Sequence, residues 1–286
     1  MPFEQYKVRH SEIKQALEPK AIFGDRNIFG HRVTTGNPDG KKAVASYIAS
    51  RFTKEGASVF ASDGSSTFFV CLAMAQSSFE FQREFDLLTN NLGIATELEA
   101  QPYSPPPKVK IQIVGGEFDY ILNATFPPSR DSATKDQIQG AKLTIVSVRQ
   151  LFLDEGPTSP EKRSCLIKEY AFQTDGDLVI PLDWTKLAAK EPDKGTLVFN
   201  NRRTWKEILQ NEDRQITIVS DKPLDKPETD HPVEIGERLE HGGFSRNSQR
   251  RWNDATDYER YCWHAYHFSL HRHITFIEMQ CDYECD

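Results

Sequence analysis

Phe60-Ala61-Ser62-Asp63-Gly64-Ser65-Ser66-Thr67 is a small, hydroxyl-rich turn set between two apolar segments. The run from Ala57 to Ala61 reads as a short buried strand. The run from Phe68 to Ala75, with Phe68, Phe69, Leu72 and Met74, reads as a helix. The first backbone N–H groups of a helix have no partner within it, and the helix dipole places its positive end there. Such a turn favours an anion, most often a phosphate or carboxylate. Gly64, Ser65, Ser66 and Thr67 are therefore the first candidate ligand contacts, through backbone N–H and hydroxyl groups. The plainer alternative is that Ser65 or Ser66 caps the helix.

On the amino-terminal side, Asp39 to Phe52 is expected to be helical. Val44, Ile48 and Phe52 recur every four residues, and Asn37-Pro38-Asp39 is a start signal. On the carboxyl side, Phe85 to Thr89 reads as a strand, and Asn90-Asn91 opens a helical stretch through Leu98. Tyr103 to Pro107 is a proline-rich loop, and Val109 to Val114 is a strand ending in Gly115-Gly116. Lys142 to Val148 is a further strand, followed by a loop holding Glu155-Gly156-Pro157-Thr158. Ser159-Pro160-Glu161 has the character of a helix start, and the helix carries Leu166, Ile167, Tyr170 and Ala171. Leu178 to Leu182 is strand-like and ends at Asp183-Trp184-Thr185-Lys186. Thr204 to Leu209 reads as helix and Gln215 to Ser220 as a last short strand.

Strands alternating with helices predict an α/β fold, a largely parallel sheet flanked by helices. Ligands of such sheets sit at the carboxyl ends of the strands. Each polar turn above follows a strand, so all of them can converge on one pocket. From Asp221 the texture changes: Pro223, Pro227 and Pro232 mark a charged linker. Beyond it lies an aromatic-rich segment with five of the eight histidines. The organisation expected is an amino-terminal extension (1–39), a central domain (40–222), and a linker with a carboxyl-terminal extension (223–286).

The 286 residues suffice for one large or two small domains. A net charge of −7 argues against a broad nucleic-acid-binding face. No apolar run approaches the roughly 20 residues that span a bilayer, and Met1 to Lys7 lacks the apolar centre of a secretory signal. Cysteines at 71, 165, 262, 281 and 285 form no disulfide framework. A cytoplasmic protein is the expectation. Cys262, His264, His267, His271, His273, Cys281 and Cys285 are of the types zinc prefers, but their spacing matches no common zinc signature. Alternation in His271 to Ile277 fits an ordinary edge strand, so neither metal nor other cofactor is assigned. Arg250 and Arg251 beside Trp252 form a small basic patch. Residues 230–286 nonetheless hold 6 Lys and Arg against 11 Asp and Glu, which disfavours direct nucleic-acid binding.

The order of these turns resembles the carboxyl-terminal sensor domain of the DeoR family of bacterial sugar-responsive regulators, over about residues 40 to 222. That domain belongs to a wider group with ribose-5-phosphate isomerase and the coenzyme A transferases. Lys41-Lys42-Ala43-Val44-Ala45 looks like the family's opening helix, and Ser62 to Thr67 like its phosphate loop. Leu88-Thr89-Asn90-Asn91-Leu92 looks like its Thr-Asn-Asn turn, and Val114-Gly115-Gly116-Glu117 like its Gly-Gly turn. Gly156-Pro157-Thr158, Ile167-Lys168 and Leu182 to Lys186 follow the family's last third. No one motif decides the match; order and spacing make it specific. The departures are Arg149 in place of an aspartate, Ser62 and Asp63 in swapped order, and no room before residue 40 for the family's winged helix-turn-helix.

The resemblance implies a non-catalytic module that binds a phosphorylated sugar or related metabolite and regulates a partner, in transcription among other settings. It also implies self-association. Lys168 and Lys186 would supply positive charge to the phosphate. Asn90 and Asn91 would meet sugar hydroxyls, Gly116 and Glu117 belong to the Gly-Gly turn, and Asp63 and Asp183 would accept from hydroxyls. The alternative is an enzyme of the isomerase or transferase group, since aldose–ketose isomerisation needs a carboxylate to move a proton. A third reading makes the carboxyl-terminal extension a surface for a protein partner.

Overall fold

The computed structural model describes residues 7–9, 17, 19, 28–35, 37–103, 106–128, 131–152, 156–159, 162–188, 197–198, 214–222, 261–271 and 274–283. The expected helix at Thr204 to Leu209, the linker prolines, Arg250 to Trp252, His273 and Cys285 lie outside them.

In chain order the elements are β1 (Lys7–Arg9), α1 (Ile28–Thr34), α2 (Pro38–Phe52), β2 (Ala57–Ala61), α3 (Ser65–Phe81), β3 (Phe85–Thr89), α4 (Leu92–Ala100) and β4 (Val109–Ile113). There follow β5 (Glu117–Asp119), β6 (Ala124–Phe126), α5 (Ser132–Gln139), β7 (Leu143–Ile145), β8 (Leu151–Phe152), β9 (Gly156–Ser159), α6 (Lys162–Phe172) and β10 (Asp177–Leu182). A 3-10 turn (Trp184–Lys186) leads to β11 (Leu187–Ala188), β12 (Leu197–Val198), β13 (Ile216–Lys222), β14 (Tyr261–His271) and β15 (Ile274–Tyr283).

Nine strands form one sheet in the order β1-β14-β15-β13-β10-β7-β2-β3-β4. The stretch from β15 through β4 is parallel throughout, and β14 and β1 add antiparallel pairs at one edge. The α/β fold with a largely parallel, helix-flanked sheet is therefore as the sequence predicts. The carboxyl-terminal segment continues that sheet: β15 runs parallel to β13, from Ile216↔Ile274 to Lys222↔Gln280.

Strand alternation divides the core between two faces. Val59, Ala61, Val179, Val219 and Ile277 pack with α2, α3 and α4, whereas Phe60, Leu178, Ile180, Ile218 and Phe276 pack with α5 and α6. From Ser65 to Ala75 every residue of α3 is buried. A helix apolar on all sides belongs inside a protein, and here it lies under α1 and α2, with Phe29 edge-on to Phe68 at 5.4 Å. The sequence places the start of this helix at Phe68; it begins three residues earlier, so the serines form its first turn.

Arg214, with 1% of its surface exposed, closes the carboxyl end of α6. Its guanidinium donates to the Phe172 carbonyl (2.6 Å), the Ala171 carbonyl (2.9 Å), Thr174 Oγ1 (2.9 Å) and Thr144 Oγ1 (3.0 Å). The last carbonyls of a helix lack partners within it, and each buried acceptor left unpaired costs about 1–3 kcal/mol. Arg214→Met is expected to lower the unfolding free energy by roughly 3–5 kcal/mol in a urea titration. A loss under about 1 kcal/mol would show that the cap is not structural.

Candidate functional site

β3 and β4 extend the sheet to one side of β2, and β7 then returns to the other side. The strand order thus reverses between β2 and β7, and the loops leaving their carboxyl ends part there, the place where open parallel sheets bind ligands. In this chain the two loops are stitched together. The Ser147 N–H donates to Ser62 Oγ at 3.1 Å, and Ser147 Oγ donates to the Asp63 carbonyl. Gly64 follows at φ 124, and a Cβ on it would lie 2.3 Å from Ser147 Oγ. Only glycine meets both conditions.

Gly64 is also the residue before α3, so no side chain there takes up the N–H groups of the first turn. The first intrahelical bond runs from Phe68 N to the Gly64 carbonyl, 3.0 Å. Thr67 Oγ1 turns inward and donates to the carbonyls of Ser62 (2.7 Å) and Gly64 (2.8 Å), holding the turn in shape. Ser65 and Ser66 complete the first turn. The result is a rigid amino-terminal helix end lined with hydroxyls.

Asp63 is the hub beside it. Its carboxylate accepts from Ser164 Oγ at 3.0 Å on both oxygens and from Asn90 Nδ2 at 3.4 Å, and pairs with Lys168 Nζ at 3.5 Å. Lys168 Nζ also donates to Ser147 Oγ at 3.4 Å. Asn90 Nδ2 donates to the Thr125 carbonyl too, while its Oδ1 is buried without a hydrogen-bond partner. Asn91 caps α4 by accepting from Gly93 N (3.1 Å) and steadies the turn by donating to the Gly64 carbonyl (3.1 Å).

The segment after β10 closes the other side. Asp183 accepts from Thr185 N (3.1 Å) and Thr185 Oγ1 (2.7 Å), which swings half-buried Lys186 back to Ser66 Oγ at 3.5 Å. Asp221, at the end of β13, is fully buried. It accepts from Trp184 N at 3.0 Å and from Asn37 Nδ2. Gly40 gives it room, since a Cβ there would lie 2.2 Å from the Asp221 carboxylate. Lys41 Nζ donates to the carbonyls of Arg32 (3.0 Å) and Thr35 (3.4 Å), tying α1 to α2.

The electrostatics follow from this crowding. Burial pushes Lys186 down to about 7; Lys41, Lys168 and Arg32 act in the same direction, and Asp183 opposes them. Burial, and then Asp183, pushes Asp221 up to about 7 against the hydrogen bonds from Trp184 N and Asn37. Lys41 is lowered by burial, with Asp183 and Asp221 opposing.

The structure thus gathers Asp63, Gly64, Ser65, Ser66, Thr67, Asn90, Asn91, Lys168, Asp183 and Lys186 at the carboxyl end of the sheet, where the loops after β2 and β7 part. It does not bring Gly116 and Glu117 to it by any contact. Gly116 is a turn residue at φ 137 whose Cβ would meet the Phe126 carbonyl at 2.1 Å, and exposed Glu117 pairs with Arg163 at 2.9 Å. Ser147, Ser164, Lys41 and Asp221 belong to the site although the sequence reading does not single them out for it. Asp221 and Ser147 follow the pattern of polar residues at strand ends, which was the available signal. Cys262, His264, His267, His271 and Cys281 lie on β14 and β15. Among the described residues no group of three or more His, Cys, Asp or Glu is placed to hold a metal, and no helix is long and apolar enough to cross a membrane.

No family model matches the chain, and no curated protein matches it. Solved structures resemble it in part. The eIF2B beta subunit from Chaetomium thermophilum is 13% identical over 55% of this chain and 45% of its own, with a TM-score of 0.37. The translation initiation factor eIF-2B of Pyrococcus horikoshii OT3 is 15% identical over 57% of this chain and 55% of its own, TM-score 0.37. Ribose 5-phosphate isomerase A of Methanocaldococcus jannaschii is 11% identical over 55% of this chain and 58% of its own, TM-score 0.38. The chain spans about half the length of these proteins.

Asp221 makes the site's charge visible in stability. A carboxyl whose folded value is raised holds its proton between its unfolded value and about 7, while the unfolded chain has released it. Its contribution therefore favours folding at low pH and is lost as pH rises from about 4 to about 7. Asp221→Asn should remove that decline, so the gap between variant and native unfolding free energies changes across this window in favour of the variant. A gap constant with pH would show that Asp221 is ionised throughout.

Proposed function

We propose that the chain is a DeoR-like, non-catalytic sensor that binds a phosphorylated sugar or related phosphometabolite over Gly64–Thr67. Its output is an altered association with a partner or with a second copy of the chain, in transcription or another regulatory setting. One observation carries this reading: Lys186 reaches Ser66 Oγ in the uncapped, hydroxyl-lined first turn of α3, and Lys168, from a separate element, pairs with Asp63 immediately before that turn. Lys168 is buried against the Asp63 carboxylate, whereas half-buried Lys186 meets only a hydroxyl there and has positive charge to offer an anion. Helix N–H groups, serine hydroxyls and ammonium groups are together the donors a phosphate needs.

The enzyme reading draws on the buried carboxylates, since Asp221 is held near 7, a value suited to moving protons. The hydrogen bonds favour the sensor. Asp183 is taken up by Thr185, Asp221 by Trp184 N and Asn37, and Asp63 by Ser164, Asn90 and Lys168. None is left to face a substrate carbon unopposed.

Isothermal titration with ribose 5-phosphate tests the reading. Binding is expected without conversion of the sugar, weakened about tenfold or more by Lys186→Met and by Ser66→Ala in smaller measure. An incoming phosphate raises the Lys186 value from about 7, so binding takes up a proton and affinity falls as pH rises above about 7. Ionisation of Asp221 over the same range acts in the same direction. Absence of binding at millimolar ligand below pH 7 overturns the sensor reading, and steady isomerisation of the sugar establishes the enzyme in its place.

A further inference from the structure

β4 is the last strand of the nine-stranded sheet, and among the described residues no strand lies on its outer side. The bonds at the two ends of its ladder with β3 fix its backbone phase. Phe85 N donates to the Lys108 carbonyl at 3.2 Å, and Val114 N donates to the Thr89 carbonyl at 2.8 Å. Along a strand, N–H and C=O groups turn alternately towards one neighbour and away from it. With the register running from Phe85↔Val109 to Thr89↔Ile113, Lys110 and Gln112 turn theirs to β3, and Val109, Ile111 and Ile113 turn theirs outward. Such an edge is a template for a further strand.

The side chains suit the same role. Val109, Ile111 and Ile113 are β-branched, half-buried and on one face of β4. Val109 and Ile111 pack against the core beneath α2, α3 and α4, where Leu98 of α4 is also only partly covered. Lys110 and Gln112 are exposed on the opposite face. A lysine on an edge strand commonly blocks pairing, but Lys110 Nζ is taken up by Glu84 at 2.6 Å, and Asp86 stands opposite it on β3.

The partner that fits this edge is a second copy of the chain. A two-fold axis across the edge lays β4 antiparallel to its own copy. Centred on Ile111, it lets Ile111 exchange two hydrogen bonds with its counterpart and Val109 exchange two with Ile113 on either side. Every outward N–H and C=O of the three residues is then paired. Centred on Lys110, the axis sets Ile113 against Pro107, which has no N–H. Centred on Gln112, it sets Val109 against Gly115, beyond the end of the strand. In the Ile111 register the polar face puts Lys110 opposite Gln112 of the second copy, so no like charges are directly opposed.

We propose that two copies of the chain join their sheets through antiparallel β4 strands centred on Ile111, bringing the half-covered Val109, Ile111 and Ile113 of each copy together on one face. The pairing occupies this edge of both sheets at once, so assembly through it stops at two. It is independent of what the start of α3 binds. Five residues per strand make a small contact beside the roughly 1,200–2,000 Å² of a stable interface, so the dissociation constant falls at about 1–100 μM.

Sedimentation equilibrium of the full chain over a concentration series measures this, with two substitutions at exposed Gln112 chosen for opposite effects. Gln112→Glu sets a carboxylate opposite Lys110 at both ends of the pairing and is expected to lower the dissociation constant about threefold or more. Gln112→Lys sets ammonium groups opposite each other and is expected to raise it about threefold or more. Ile111→Pro removes the central outward N–H, which β3 does not use, and is expected to leave the chain monomeric at about 100 μM. Because Gln112 is exposed, both of its variants are expected to keep the native unfolding midpoint, which separates lost association from lost fold. A native chain still monomeric at about 200 μM overturns the proposal and leaves the edge to a strand of a different protein. A dimer equally strong in both Gln112 variants overturns it too, because the copies then meet through another surface.

Discussion

The site depends on Ser147 holding the loops after β2 and β7 against each other. Strands diverging at a reversal of sheet order leave their following loops without neighbours in the sheet. Here the backbone N–H of Ser147 takes Ser62 Oγ and its hydroxyl takes the Asp63 carbonyl. Those two bonds fix Asp63 and place Gly64 in a conformation that a side chain would not tolerate. They also leave Ser147 Oγ as the acceptor that draws in Lys168. Without the stitch, α3 would still form from its apolar residues, but its first turn would have no fixed relation to the cations around it.

The cations are themselves an unfavourable feature of the fold. Lys186 is pushed towards neutrality by burial and by Lys41, Lys168 and Arg32, and Lys41 and Arg32 are lowered as well. The fold tolerates this because other interactions hold the elements in place: the apolar face of α3, the tie of Lys41 to α1, and the anchoring of Asp221 by Trp184 N and Asn37. Strain of this electrostatic kind persists only where the surroundings over-determine the geometry, and it is relieved when a complementary ligand arrives.

Much of the architecture was legible in the sequence because the strands are nearly continuous apolar runs and the turns after them are polar. β2, β3, β4, β10 and β13 fall within a residue or two of their expected limits, and the crevice residues from the turns at 62–67, 90–91 and 183–186 meet as that pattern implies. The strand expected from Lys142 to Val148 stops at Ile145, since its last residues leave to make the Ser147 stitch, an interaction with a residue far away in sequence. α1 carried no readable pattern: it is short, and what fixes it is Lys41 on the next helix rather than its own periodicity. The carboxyl-terminal strands looked like a separate extension because a proline-marked, charged stretch precedes them. Their place beside β13 is set by pairing across the sheet, which local composition does not encode.

On the sensor reading proposed above, the same geometry gives the start of α3 a route to the rest of the molecule. Arg32 sits on α1, α1 is pinned through Lys41 to α2, and the amino-terminal end of α2 rests on Asp221 at the end of β13 through Asn37 and Gly40. β13 in turn pairs with β15. On the proposed sensor reading, an anion at the start of α3 would act on the segment of Lys186, whose Trp184 N binds Asp221, and so reach the half of the sheet built from the carboxyl-terminal strands. Coupling of this kind requires that the ligand bind two arrangements with different affinity. On the proposed reading the charge around Lys186 would supply such a difference, because a bound anion would offset it.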